Sequence, residues 1–366
     1  MQWVVNTIYS MLRWRAFPPR YIFRLALEMA RQSAAVLQSA STPDGYAVWS
    51  ELQNKIEAFS LFEYADSELG VAGNPGVPLH ELVSRALQLG PYRSVWAMEG
   101  LGHCYAGLRS HGGLFCEDKT RRLPAASLVP LHTGMGLAFA QRVLESMSGN
   151  QSRDFTLLAK FAQLCRDNSQ NGYAGAAFEA LGLVTRNLYP HLVPVIDAYL
   201  SQSEVFLAYF WHGIGRGIYF NPVNLLPFCG APWNAVEMCR LEPQHEIGRH
   251  NAVAGLAWAL TLVNIRQPEI LATFLRYRGR DAACDEAFAN GMRSGLAVWR
   301  MASPDDHYLD VLRSYVPDNA NASLAALWDR CVTQSCQQAL SYQRVPGPET
   351  AVSDFFRYQH SSAFST

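Results

Sequence analysis

Much of what would mark a specialised surface is missing from this chain. Neither charge dominates, with 30 lysines and arginines against 31 aspartates and glutamates and no basic run, so a nucleic-acid surface or a polybasic anchor has no footing. No uninterrupted apolar stretch reaches the roughly 18 to 20 residues that a membrane helix needs; the closest, Ala252 to Ile265, is broken by Thr261 and Asn264 and reads as a core helix. The first residues place an apolar start before late arginines, the reverse of a secretory signal, which predicts a cytoplasmic protein without a membrane span. The eight cysteines form no C-x-x-C pair and no c-type haem motif, so they read as reduced thiols packed as small hydrophobes. His103, His132, His212 and His250 lack HExxH or any comparably tight ligand spacing, and neither a metal nor another cofactor is expected. Sustained apolar-polar alternation between hairpin turns is absent too, which leaves little room for strands.

What is present is apolar and helical. Hydrophobic residues make up 49% of 366, ample for a sizeable core. The chain is organised around Tyr209-Phe-Trp-His-Gly-Ile-Gly-Arg-Gly-Ile-Tyr-Phe-Asn-Pro222, because its Gly-x-Gly core has echoes in Glu99-Gly-Leu-Gly-His103, Thr133-Gly-Met-Gly-Leu137, Glu179-Ala-Leu-Gly-Leu183, Ala254-Gly-Leu-Ala-Trp258 and Ser294-Gly-Leu-Ala-Val298. Their intervals of roughly 33 to 46 residues match a helix-pair unit with a degenerate period. Small residues one or two apart let a helix backbone approach a neighbour, and Gly213 with Gly217 lengthens that ridge by one turn. A glycine inside a helix costs about 1 kcal/mol against alanine, so repeated placement implies that packing returns the loss.

Apolar spacing predicts helices over 21–39, from Gly45 through Phe59, and over 79–89, 127–147, 155–165, 173–188, 192–200, 249–265, 268–276, 281–301 and 322–342. Segment 110–122 reads as an exposed connection, and the proline-bearing stretch from Asn221 through Pro243 as a flap without a long helix. The expected architecture is all-α: an N-terminal helical cap over 1–90, a degenerate helical-repeat array holding a pocket over 91–300, and a C-terminal helical segment with a loose tail over 301–366.

The order Gly213-Ile-Gly-Arg-Gly-Ile-Tyr-Phe220, a proline-rich stretch, then Gly255-Leu-Ala-Trp-Ala259 resembles an uncharacterised bacterial family labelled "enediyne biosynthesis protein" from its place in polyketide gene clusters. In that family a Gly-Leu-Gly-Arg-Ser-Leu-Trp-Phe run precedes a Gly-Val-Gly-Leu-Ala run, after segments similar to Glu99-Gly100 and Gly134-Met-Gly136. The likeness covers about 91–275; Gly213, Gly215, Arg216 and Phe220 match, whereas Gly217 stands where the family tends to have serine. The resemblance implies a role in secondary metabolism on a hydrophobic polyketide-like or lipid-like intermediate. It implies no known reaction.

Positions four apart share a helix face, so Glu99 with His103 and His212 with Arg216 form polar pairs on otherwise apolar helices. Repeat geometry places Glu99, Glu179 and His212 equivalently, and curvature of the array brings them together with Arg216. In a pocket, a glutamate serves as general base, His212 as acid/base and Arg216 as a clamp for a carboxylate, phosphate or enolate. His103, Trp211, Tyr219 and Trp258 then line the wall against an apolar ligand. The same residues also fit a second arrangement, buried ion pairs between neighbouring repeats.

Two other functions fit the sequence. A groove of this kind suits a scaffold or chaperone holding a pathway enzyme, with a protein partner in place of the small molecule. Asp305-Asp-His-Tyr-Leu-Asp310 spells the acidic pattern of terpene-type cyclases, with Asp281-Ala-Ala-Cys-Asp285 as a second run. If 281–301 is one helix, however, the two runs lie about 30 Å apart at 1.5 Å per residue.

Overall fold

The computed structural model describes residues 43–67, 77–108, 113–149, 154–220, 233–342 and 352–358, and among them every regular element is helical. The fold is all-α. The expected helix over 21–39 and the tail from Ser361 lie outside the described residues. The first elements are α1 (Pro43–Ser67), α2 (Leu79–Leu87), α3 (Pro91–Gly107), α4 (Ala125–Gly149), α5 (Thr156–Asn168), α6 (Ala174–Phe178), α7 (Ala180–Leu188) and α8 (Val193–Leu200). They are followed by α9 (Glu204–Phe220), α10 (Trp233–Leu241), α11 (Glu246–Val263), α12 (Pro268–Ala282), α13 (Ala287–Ala302) and α14 (Tyr308–Ser314). The last long element runs through α15 (Ala322–Trp328), a π turn at Asp329–Thr333 and α16 (Gln334–Ser341), before a 3-10 turn at Val352–Phe356. No helix among the described residues is long and apolar enough to cross a membrane.

The structure departs from the sequence pattern in four places. The run over 173–188 divides at Glu179, whose dihedrals stay helical while the Gly182 N–H donates to its carbonyl at 3.1 Å, a tightened turn in a nearly continuous helix. The run over 281–301 is two helices: α12 ends at Ala282, and Asp285 Oδ1 accepts the Ala287 N–H at 2.8 Å where α13 begins. The expected flap over 221–243 lies outside the described residues up to 232, and its described part holds α10, because Pro232 and Pro243 bracket a proline-free window that a short helix fills, with Val236 and Cys239 buried. In the connection over 110–122, Leu114 and Phe115 are buried, and the Phe115 N–H ties to the Asn168 carbonyl at 3.0 Å.

Glycine sets the spacing of the central helices. A Cβ on Gly134 of α4 would collide with the Glu99 carbonyl of α3, and one on Gly102 of α3 with the Leu131 carbonyl of α4. The same reciprocal seat joins α7 to α9 through Gly182 and Gly213, and α9 to α11 through Gly215 and Gly255. Gly291 of α13 rests on the Ala254 carbonyl of α11. Residues two apart on a helix point about 200° apart, so Gly213 and Gly215 open opposite flanks to two neighbours. The single-ridge expectation is corrected accordingly: Gly213 and Gly217 share the α7 flank, and Gly215 serves α11.

The seated helices also come back on themselves. α13 contacts α4, and its C-terminal end meets the start of α3, where the Trp299 and Tyr92 rings lie 6.1 Å apart and Ser303 Oγ donates to the Pro91 carbonyl at 3.2 Å. Glu99, Glu179 and His212 share one structural relation: the backbone carbonyl of each lies against a glycine of the helix packed on it, Gly134, Gly213 and Gly255 in turn.

Candidate functional site

Four polar side chains meet in the interior between α3, the α6–α7 junction and α9. Arg216 Nη1 donates to Glu179 Oε2 at 2.6 Å and Nη2 to Glu99 Oε1 at 3.1 Å, while His212 Nδ1 lies 2.9 Å from Glu179 Oε1. Glu179 and His212 are fully enclosed, and Arg216 is 2% and Glu99 6% exposed. His212 and Arg216 are one turn apart on α9, so the tightened turn at Glu179 presents one carboxylate to both. The guanidinium carbon stands 4.5 Å from the centre of the Trp258 ring of α11, and that ring is edge-on to His212 at 6.3 Å.

Environment separates the two carboxylates. Burial pushes the Glu99 carboxyl up, and Arg216 only partly opposes this. Burial also acts on Glu179, yet Arg216 and His212 together hold it below the usual carboxylate range. Burial disfavours the Arg216 charge, but the flanking glutamates more than compensate and raise its affinity for the proton. An ionised Glu179 can only accept hydrogen bonds, so His212 carries its proton on Nδ1 toward it. With both glutamates charged, one more proton on Glu99 or His212 brings the cluster to neutrality.

The hydrogen bonding of the cluster is incomplete at three atoms. His212 Nε2, Arg216 Nε and Trp258 Nε1 are buried and have no hydrogen-bond partner among the described residues. Two of these, the arginine and indole N–H groups, are donors. The third is the imidazole nitrogen that the Glu179 bond leaves with a lone pair.

The structure thus brings together Glu99, Glu179, His212, Arg216 and Trp258, in a buried cluster. The other three expected wall residues sit elsewhere. His103 does not follow Glu99 inward: its Nε2 lies 3.3 Å from Gln141 Oε1, and its ring lies beside Phe62. Trp211 donates from Nε1 to Asp197 Oδ1 at 2.6 Å, and the same oxygen takes His245 Nε2 at 2.9 Å. Tyr219 belongs to a second buried polar group, in which Lys55 Nζ stands 3.8 Å from its ring centre and 3.4 Å from Glu51, and Asn264 Nδ2 donates to its hydroxyl at 3.0 Å. Burial drives the Lys55 ammonium to a lower pKa against the pull of Glu51. Sequence reasoning missed this group, although Glu51, Asn54 and Lys55 interrupt the apolar stripe of Trp49, Leu52, Ile56 and Phe59 on one helix.

Neither remaining motif gathers into a site. Asp285 and Asp306 flank opposite ends of α13, and Asp306 accepts the Trp299 indole N–H and the Tyr308 N–H. No three His, Cys, Asp or Glu side chains among the described residues group as a metal would require. A surface cleft of about 420 Å³ is lined by Leu79, His80, Lys119, Arg121, Arg122 and Leu123, none of which belongs to the buried cluster. Compared with known protein families, curated proteins and solved structures, the chain matches none.

Proposed function

We propose that this protein binds a hydrophobic, polyketide-like or lipid-like intermediate of secondary metabolism and acts on it by acid/base chemistry without a metal. The observation that carries the proposal is the set of unpartnered buried atoms, His212 Nε2, Arg216 Nε and Trp258 Nε1. Two donors and one base, carried by side chains that pack together around the Trp258 ring, suit a carbonyl group with an acidic neighbouring C–H: the donors take the oxygen as negative charge develops, and His212 takes the proton. Glu179 orients the imidazole and stabilises its protonated form. Glu99, inclined to hold a proton by its burial, balances the charge across Arg216. The carboxylates are already engaged by Arg216 and His212, which is why no metal enters the scheme. The resemblance to the enediyne-cluster family supports the substrate class.

The burial of all four members of the cluster favours a second reading, a non-catalytic scaffold whose ion pairs fasten α3, α7 and α9. Mass spectrometry of the purified protein, native and then denatured, separates the two. A small apolar molecule released on denaturation is the expected result; a retained protein partner with no small molecule would favour the scaffold.

A further inference from the structure

The surface cleft of about 420 Å³ lies apart from the buried cluster, and its lining is one-sided in charge. His80, Lys119, Arg121 and Arg122 are exposed around it, together with the half-buried Leu79 and Leu123, and among the described residues no acid joins them. We propose that this cleft binds a small phosphate monoester, its phosphate held by Arg121 and Arg122 and an apolar ester group laid against Leu79 and Leu123. One wall is built on buried anchors. The Leu114 N–H donates to Asn168 Oδ1 and the Phe115 N–H to the Asn168 carbonyl, both at 3.0 Å. Thr120 Oγ1 lies 3.1 Å from the Cys116 carbonyl and 3.3 Å from Gln170 Oε1, and the Leu123 N–H donates to the Thr120 carbonyl at 2.8 Å. Phe115, Thr120 and Asn168 are buried, so the backbone that carries the three cations keeps a fixed course.

The charge is not met from within. Glu81, the acid beside His80 at the start of α2, is drawn to Arg85 one turn along the helix at 2.5 Å, and neither Arg121 nor Arg122 meets a carboxylate among the described residues. Segment 117–122 sets three cations against two acids, so the excess is positive before His80 is counted. Like charges held this close repel, and a dianion relieves that cost more fully than a single carboxylate does. Guanidinium groups also match phosphate oxygens in parallel pairs. The cleft falls within the roughly 300 to 1,000 Å³ of small-ligand pockets, and inorganic phosphate would leave much of it and both leucines uncovered. With no basic run in the chain to continue the field, the partner is a small molecule and not an extended polyanion.

The probe is n-hexyl phosphate, titrated into the full chain by calorimetry in low-salt buffer, with inorganic phosphate and hexanol for comparison. The ester should bind as one molecule per chain and at least fivefold more tightly than inorganic phosphate, and hexanol should not bind. Arg121→Gln and Arg122→Gln should each weaken the ester at least fivefold with unchanged helical circular dichroism. Arg313→Gln, which removes an exposed arginine of α14 far along the chain, should change its affinity less than twofold. A second measurement needs no variant to fold: the ester should shield Arg121 and Arg122, but not Arg313, from phenylglyoxal, as read by peptide mass spectrometry. The proposal is overturned if the ester does not saturate, if both glutamine variants fold and bind it like the wild type, or if labelling of Arg121 and Arg122 is the same with and without it. An ester that binds no more tightly than phosphate, or no more tightly than hexanol, overturns the assigned ligand class as well.

Discussion

Glu99 and Glu179 grip the same guanidinium, yet substitution will tell them apart. Glutamine at 99 imitates the protonated carboxyl that burial already favours there, so Glu99→Gln should change stability by less than about 1 kcal/mol. Glutamine at 179 leaves Arg216 and His212 facing a neutral amide in a sealed interior, and Glu179→Gln should cost about 3–5 kcal/mol in urea melts. Equal losses would mean that the two carboxylates share the proton evenly. His132 gives a second test at this scale. Its Nδ1 donates to the Leu128 carbonyl at 2.7 Å and its Nε2 accepts the Gln170 N–H at 3.0 Å, so both nitrogens are committed and the ring must be neutral. Burial pushes its pKa down to about 4, from 6.5 in an open chain. The folded state therefore resists protonation, its stability is intact above pH 6.5, and roughly 3 kcal/mol should be lost as pH falls from there to 4. His132→Asn, which keeps a donor and does not titrate, should lose less over that window.

At the scale of elements, helix existence was legible because apolar spacing reports which face is buried, and the glycine motifs were legible because close approach permits no Cβ. Ends were less so. The split between α12 and α13 turns on Asp285 acting as a cap, and the turn at Glu179 on an approach of α9 that no local pattern encodes. The N-cap of α11 is another such feature. His245 Nδ1 accepts the Gly248 N–H at 2.9 Å, while its Nε2–H goes to Asp197 Oδ1, a role that sequence preferences assign to serine, threonine, aspartate or asparagine. His245→Ala should lower the stability by about 1 kcal/mol, and His245→Asn should recover part of it, since an asparagine oxygen can accept the same N–H. If the two variants melt alike, the packing of the imidazole against Trp211, and not the cap, is what matters.

For the molecule as a whole, the contacts that define the site are distant in sequence, which is why the sequence reached its members but left their enclosure as one of two arrangements, a pocket or buried ion pairs. Equivalence across the glycine motifs pointed to Glu99, Glu179, His212 and Arg216, whereas burial depends on Phe356 and Trp258 arriving from elsewhere in the chain. The division at residue 90 into cap and array can be judged on the same ground. α1 reaches across it: Asn54 Nδ2 donates to Asn264 Oδ1 at 3.0 Å, and Arg266 Nη2 pairs with Glu57 Oε2 at 2.5 Å. Tyr92 Oη donates to the Val263 carbonyl at 2.9 Å in the same region. Losing α1 would take Asn54 from Asn264 and Lys55 from the Tyr219 ring and strip cover from α3, so the described helices should unfold together. Melts followed by far-ultraviolet circular dichroism and by tryptophan fluorescence should then coincide, with a calorimetric enthalpy equal to the van't Hoff value. A chain of this length more often unfolds in stages, which makes the outcome informative. Two separate transitions, the earlier one weakened further by Asn54→Ala, would instead show that the N-terminal helices are a cap with a stability of their own.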